Sequence, residues 1–203
     1  MKKHLILAAA LLIMAACSKS DLKETQYIED PDYPGLPIYS DMGYNTYGAY
    51  MNDQVYQTST NYGSNRKFYL VADREGLSMT FYGWLDGHNL SMVFDLPIDT
   101  TFAMDDYHDL LKLDGMSFAI DTTGTTCRVK MEGTNAPEIA SIYSGKITFD
   151  HVRQVVVDKE DKEIIVSGKF QFRAFTTDGA RLDVTGGRFD LGVDNTNFVN
   201  FRD

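Results

Sequence analysis

The fold is decided by residues 145–191, GKITFDHVRQVVVDKEDKEIIVSGKFQFRAFTTDGARLDVTGGRFDL, in a chain of 203 residues. From Ile164 to Phe175, apolar residues or glycine alternate with polar residues. One face would carry Ile164, Val166, Gly168, Phe170, Phe172 and Ala174, and the other Ser167, Lys169, Gln171 and Arg173. A period of two residues is typical of a strand with one face on a core and the other in water. The stretch therefore predicts a half-buried strand, which indicates a fold but no chemistry.

Turn signals divide the same stretch into three or four antiparallel strands. A charged turn covers residues 158–163, and Thr177-Asp178-Gly179 forms the next one. Gly186-Gly187 predicts a β-bulge, because the apolar residues at 182 and 184 are out of phase with those at 189 and 191.

The remaining chain repeats this pattern and contains one predicted helix. A hairpin is expected over residues 44–58, with Asn52-Asp53 at its turn, and a three-stranded meander over residues 66–96. A short helix is expected between Asp105 and Gly115. About ten short strands, one helix and no βαβ spacing predict an all-β fold, either an antiparallel β-sandwich or a flattened barrel.

The N-terminus has the features of a bacterial lipoprotein signal peptide. Two lysines precede an uncharged apolar run over residues 5–16. This run is too short to span a membrane, because a membrane-spanning helix needs about 20 residues. The run ends in Ala-Ala-Cys17, and cleavage would leave Cys17 to carry acyl chains such as palmitate on its sulfur and nitrogen. Met14 departs from the usual lipobox. The alternative is an ordinary secretory signal with a chance cysteine.

This signal divides the chain into three expected parts. Residues 1–16 would be a signal peptide, residues 17–40 a lipidated cysteine with a flexible polar tether, and residues 41–203 a single β domain. With Cys17 lipidated, Cys127 is alone in the mature chain. An intramolecular disulfide is then impossible, and stability rests on the hydrophobic core.

The balance of charge is acidic, with 19 Lys and Arg against 29 Asp and Glu. Removal of the two signal-peptide lysines leaves 17 basic residues against the same 29 acidic ones. Nucleic acids and anionic headgroups are bound by basic patches, so both are disfavoured as partners. The lipid is expected to provide the membrane attachment.

Four segments of the chain look familiar: GAYMNDQVY (48–56), GKITF (145–149), VSGKFQF (166–172) and TGGRFD (185–190). Together they resemble a family of single-domain lipoproteins from Bacteroidetes-type bacteria whose function is unknown. The resemblance covers roughly residues 44–192. The chain departs from the family at Asp53, which replaces a turn glycine, and in the helix-like insert before Gly115. The resemblance implies an all-β lipoprotein of the cell envelope, and it carries over no active site.

The densest polar cluster is formed by Asp105, Asp106 and Asp109 beside His108. These carboxylates are weak candidates for a hard-cation site, because calcium and magnesium prefer oxygen ligands. The alternative is a helix start, where acidic side chains accept hydrogen bonds from free backbone N–H groups. Their spacing matches no ligand motif, and no metal or cofactor is expected.

No catalytic residue is predicted, because the sequence lacks a nucleophile elbow, an HExxH motif, a phosphate loop and a dinucleotide fingerprint. His151 shares the face of Ile147 and Phe149, so it lies near a bulge or is a core histidine. Cys127 is in phase with Val129 and is interpreted as a small buried hydrophobic residue.

Tyr69, Tyr82 and Trp84 suggest a binding surface. They lie on the strand faces opposite the apolar residues of the meander. The tyrosine-rich hairpin around Tyr47, Tyr50, Tyr56 and Tyr62 would border them. An exposed face of this kind could stack against a sugar. The alternative is that this face is covered, because aromatic residues are ordinary buried strand residues.

Three functions follow from these observations. The first is a lipid-anchored, non-enzymatic β domain of the cell envelope that binds a ligand or partner, with glycan as the sharper hypothesis. The second is a structural or assembly subunit of an envelope complex, which predicts an exposed apolar patch or strand edge. The third and least favoured is a hydrolase, which predicts a histidine paired with carboxylates in a cleft. The outer membrane is the favoured location, with the domain facing the periplasm or the surface.

Overall fold

A computed structural model of the chain describes residues 25–58, 67–74, 76–97, 104–122, 126–158 and 160–201. These residues form eleven strands and one 3₁₀ helix, Tyr107–Leu113. The strands are β1 (Thr46–Met51), β2 (Gln54–Thr58), β3 (Phe68–Ala72), β4 (Gly76–Leu85), β5 (His88–Pro97), β6 (Ser117–Ala119), β7 (Arg128–Gly133), β8 (Ile139–Val157), β9 (Glu160–Thr176), β10 (Arg181–Val193) and β11 (Phe198–Asn200).

The strands form one curled sheet in the order β11-β3-β4-β2-β1-β10-β9-β8-β6, while β5 pairs with β4 and carries β7. The two ends of the sheet meet at a single bridge between Ile120 and Cys127. There the N–H of Cys127 donates to the carbonyl of Ala119 at 3.0 Å. The all-β prediction is confirmed. The sheet is mixed rather than purely antiparallel, because β11 pairs in parallel with β3.

The predicted hairpins and the meander are all present. Asn52, at the turn between β1 and β2, has a φ of 52°, in the left-handed region that such turns require. Strands β3, β4 and β5 pair in sequence. In β10 the register against β9 shifts between Val184 and Gly187, which confirms the bulge. The alternation of apolar and polar residues was therefore sufficient to locate the strands, and the change of its phase was sufficient to locate the bulge.

Aromatic rings fill the inside of the curled sheet. Phe81 stacks on Tyr47 with 4.7 Å between ring centroids, and Phe94 meets Phe170 edge-on at 5.0 Å. Gly168 completes the buried face of β9, where a Cβ would lie 2.0 Å from the carbonyl oxygen of Thr148. Only glycine therefore permits the close approach of β8 and β9 at this point.

The 3₁₀ helix packs against β8 and β9 through Leu110 and Leu113, which are buried. The carboxylate of Asp114, just after the helix, accepts the N–H of Val152 at 2.7 Å. Next to this contact the register of β8 shifts between Phe149 and His151, and His151 is exposed. Of the two alternatives for His151, the position at a bulge is the correct one.

Residues 25–45 lie against the outside of β10. The side chain of Asp190 is buried and accepts the N–H groups of Gly43 at 2.7 Å and Tyr44 at 3.1 Å, together with that of Met42 and the hydroxyl of Ser40. Leu36 is fully buried. Within residues 25–40 the structure thus differs from the expected flexible tether, because side chains distant in sequence hold the segment in place.

A second contact fixes the turn of this segment. Arg188 forms an ion pair with Asp30, and both side chains are nearly buried. The guanidinium also lies 4.2 Å from the ring centroid of Tyr33 and donates to the carbonyl of Gly186. Residues 30–39, called the docking loop below, are therefore held at one end by Arg188 and followed directly by the residues that Asp190 holds.

We expect the substitution Asp190→Asn to lower the free energy of unfolding by about 2–4 kcal/mol, because a buried carboxylate with several N–H donors is replaced by an amide that cannot accept them all. Urea unfolding measures the change. The matched control is Asp53→Asn, an exposed residue in the turn between β1 and β2. Equal stability of the two variants would contradict a role for Asp190 in docking.

Candidate functional site

The acidic cluster forms a helix start. The carboxylate of Asp106 accepts the N–H of His108 at 2.7 Å, and that of Asp109 accepts the N–H groups of Asp105 at 2.8 Å and Asp106 at 3.3 Å. This is a capping box, which satisfies N–H groups that the first helical turn leaves free. Within the described ranges, no three His, Cys, Asp or Glu side chains are grouped as a metal site requires.

The ionisation of Asp109 reflects the same contacts. Burial acts to raise the pKa of Asp109, but hydrogen bonds from Lys112 and from the N–H groups of Asp105 and Asp106 outweigh it and hold the pKa below its ordinary value. The Lys112 ammonium lies 2.6 Å from the carboxylate. The ionised form of Asp109 therefore favours the folded state.

We expect Asp109→Asn to cost about 1 kcal/mol of unfolding free energy at neutral pH. A pKa lowered by folding gives a contribution that is present above the unfolded value of about 4 and is lost as the pH falls through the folded value. The cost measured by urea unfolding should therefore shrink as the pH is lowered below about 4. Asp105→Asn is the control, since its carboxylate is not part of the capping box. A melting temperature that rises with calcium and falls with a chelator would indicate a metal site instead.

His108 is the histidine that the structure pairs with carboxylates. Its Nδ1 lies 3.1 Å from Asp106, and its Nε2 lies 3.6 Å from Asp161. A hydrolase would need such a pairing in a cleft. His108, however, lies at the exposed helix start, lines neither of the grooves described below, and is beside a carboxylate that already accepts a backbone N–H. The contact with Asp106 therefore belongs to the helix cap.

Cys127 is buried beside the closing bridge of the sheet. Burial, together with the negative charges of Asp95 and Asp121, raises the pKa of its thiol to about 12. Because the thiolate is the nucleophilic form, this cysteine is inert at neutral pH. The interpretation of Cys127 as a small buried hydrophobic residue is consistent with this position.

The three aromatic residues proposed as a platform lie on the outer face of β3 and β4. Tyr82 is 40% exposed, whereas Tyr69 and Trp84 are half-buried. Tyr82 lies opposite Ser91 on β5, and Trp84 lies between Gln57 and Asn89. Of the tyrosines expected to border them, Tyr47 and Tyr56 are instead fully buried in the core, and Tyr62 is outside the described residues. The face is partly open, and the three side chains line neither groove described here.

A groove of about 440 Å³ lies between the docking loop and the outer face of β8, β9 and β10. Tyr33 and Tyr39 come from the docking loop. The sheet contributes Lys146 and Thr148 from β8 and Lys169 and Gln171 from β9. Strand alternation explains this set, because the partners of these residues on the other face, Ile147, Phe170 and Phe172, are buried in the core.

Positive charge is concentrated in this groove. Arg188 lies directly opposite Lys169 across β10 and β9, and like charges at opposite positions repel. Asp30 compensates Arg188, and Asp150 lies 3.7 Å from the Lys169 ammonium. Lys146 has no ion pair with any residue in the described ranges. The groove therefore keeps an excess positive charge in a chain whose formal net charge is −10.

Tyr39 connects the loop to these charges. Its hydroxyl donates to Asp150 at 2.7 Å, and the Lys169 ammonium lies 4.3 Å from its ring centroid. Burial raises the pKa of Tyr39, and the hydrogen bond to Asp150 raises it further. The hydroxyl is therefore neutral at physiological pH and acts as a donor.

A second groove, of about 500 Å³, lies on the outer face of β4, β5 and β7. It is lined by Ser78, Asp95, Arg128 and Lys130 among others. Asp95 is already engaged, because it accepts the hydroxyl of Ser78 and lies 3.8 Å from Lys130. Residues 98–103 and 123–125, which adjoin its lining, are outside the described part of the chain. Asp95 and Lys130 of this groove are therefore already paired with each other.

The groove beneath the docking loop was missed by sequence reasoning. Its cations occupy the outer face of a predicted strand, where Lys169, Gln171 and Arg173 look like ordinary solvated residues. Its tyrosines come from a segment that was interpreted as a tether. The available signal was the clustering of cations on one face of two paired strands in an acidic chain.

The fold and the groove together define an all-β protein built on one curled, mixed sheet with a ligand-sized groove on its outer face. No protein-family model, no curated protein and no solved structure matches the chain. Among the described residues, no helix has the length and apolar character needed to cross a membrane.

Proposed function

We propose that the chain is a lipid-anchored, non-enzymatic β domain of the cell envelope that binds a glycan in the groove beneath the docking loop. The observation that supports this most directly is the composition of the groove. It combines two tyrosine rings, two amide or hydroxyl side chains and two lysines in a volume of about 440 Å³. Small-molecule sites are concave and combine apolar surface with a few polar groups, and this groove has both features.

Contacts within the protein hold the walls of the site in place. Asp190 and Arg188 fix both ends of the docking loop, so its tyrosines are held over the sheet. A preorganised site loses little conformational entropy when a ligand binds. The absence of catalytic motifs from the sequence and the position of His108 outside the groove favour binding over catalysis.

The membrane anchor would be the lipid on Cys17. Seven residues, 18–24, separate Cys17 from Thr25, where the described structure begins. An extended chain spans at most about 3.5 Å per residue, so the domain would stay within roughly 30 Å of the bilayer. The apolar run before Cys17 and the resemblance to envelope lipoproteins support an outer-membrane location.

An assembly role is the second candidate, and one surface favours it. Tyr143 and Phe175 are exposed at 49% and 46%, and their ring centroids lie 5.4 Å apart on β8 and β9. Paired exposed rings are typical of protein interfaces. The face of Tyr69, Tyr82 and Trp84 is the alternative location for a sugar.

Lipidation is tested with the full chain expressed in a Gram-negative host. We expect radiolabelled palmitate to be incorporated and the protein to fractionate with membranes, and Cys17→Ala to abolish both, because the thiol that accepts the lipid is absent. Cys127→Ala is the matched control and should label normally, since Cys127 is buried. Labelling that persists in the Cys17 variant would contradict the lipoprotein assignment.

Ligand binding is tested with the full chain in detergent and a panel of oligosaccharides. A ligand at about 100 times its dissociation constant should stabilise the protein by about 2.7 kcal/mol, which shifts the melting temperature by several degrees. Gln171→Ala should weaken binding about tenfold, because it removes a hydrogen-bonding side chain from the groove. Trp84→Ala should leave binding unchanged.

Weaker binding by Trp84→Ala together with unchanged binding by Gln171→Ala would place the sugar on the face of Tyr69, Tyr82 and Trp84. If no oligosaccharide shifts the melting temperature, the glycan proposal fails. Capture of an envelope protein that depends on Tyr143 and Phe175 would then support the assembly role.

A further inference from the structure

We propose that the sugar bound in the groove carries an acid group, a carboxylate or a sulfate, which Lys146 and Lys169 hold together. This inference rests on the proposed function and makes it more specific. It depends on the register of three strands, on the distribution of counter-charges and on the shape of the groove.

The register places the two lysines around one point. Lys169 on β9 lies opposite Thr148 on β8, and Lys146 lies opposite Gln171. The lysines are thus diagonal neighbours on one face of an antiparallel pair, where side chains roughly 7–8 Å apart at the backbone can converge. Both are exposed, so their flexible chains can bring both ammonium groups onto a single anionic group.

The cations of the groove are compensated unequally. Arg188 forms a nearly buried ion pair with Asp30, so its charge holds the docking loop and is not available to a ligand. The Lys169 charge is shared with Asp150 at 3.7 Å. Lys146 has no acidic partner in the described chain, although the chain has ten more acidic than basic residues. A cation left without a partner beside two others favours an anion from outside the protein.

The remaining surface of the groove fits a sugar rather than a simple anion. A sulfate or phosphate ion would occupy only a small part of about 440 Å³. Tyr33 and Tyr39 present ring surface along the edge formed by the docking loop, and Thr148 and Gln171 present hydrogen-bonding groups on the floor. A pyranose ring can stack on a tyrosine while its hydroxyls bond to the floor and its acid group reaches the lysines.

The test compares one uronate-containing oligosaccharide with the same oligosaccharide after its carboxyl groups are reduced to alcohols, and with a sulfated analogue. Binding to the full chain in detergent is measured by calorimetry. We expect the acidic forms to bind at least tenfold more tightly than the reduced form. Their affinity should fall as sodium chloride rises from about 50 to 300 mM, because ions screen exposed charge pairs.

Variants assign the effect to the two lysines. Lys146→Gln and Lys169→Gln should each remove most of the preference for the acidic sugar, and the double variant should bind the acidic and reduced forms equally. Lys130→Gln, an exposed lysine that borders the other groove, should behave as the wild type. Unchanged melting temperatures without ligand establish that each variant is folded.

The outcomes separate this inference from the proposed function. Equal binding of the acidic and reduced forms by the wild type would overturn the acid preference and leave glycan binding standing. An acid preference that survives the double variant would overturn the assignment to Lys146 and Lys169. Absence of binding by every form would overturn both. A preference for only one of the two acidic forms identifies the acid group.

Discussion

The structure depends on two charged side chains of β10, Arg188 and Asp190, which point away from the core and hold residues 25–45 against the sheet. Burial of a carboxylate or a guanidinium is costly unless hydrogen bonds and opposite charge compensate it. Here both are compensated, Asp190 by backbone N–H groups and Arg188 by Asp30. These contacts convert a proline-rich, polar segment with little core of its own into part of the domain.

The same contacts create the candidate site. Without the docking loop, the cations on β8 and β9 would lie on an open sheet face with no wall for a ligand. The loop adds two tyrosines and encloses the groove, while Asp150 orients Tyr39 through a hydrogen bond of 2.7 Å. If Cys17 is lipidated, the segment that forms this wall also continues to the membrane anchor. Ligand binding and attachment would then involve one continuous stretch of chain.

Sequence reasoning succeeded where local pattern decides the structure. The alternation from Ile164 to Phe175 predicted β9, the change of phase at Gly186-Gly187 predicted the bulge, and Asn52-Asp53 predicted the hairpin turn. The acidic residues around Asp106 were correctly given a helix start as one of two alternatives. Strand β11 was not predicted from the sequence. Its three residues are too short a pattern to be recognised, and they pair in parallel with β3, which is far away in the sequence.

The amino-acid sequence by itself determined an all-β domain, its main hairpins and an acidic surface, and it predicts a lipid on Cys17. These properties follow from composition and from the alternation of apolar and polar residues over a few positions. Both can be read from each segment of the chain by itself. Only the tertiary structure decided that residues 25–40 are docked and that the lysines of β8 and β9 line a groove. The reason is that the decisive contact joins Asp30 to Arg188, which are 158 positions apart, and no local pattern encodes such a pairing.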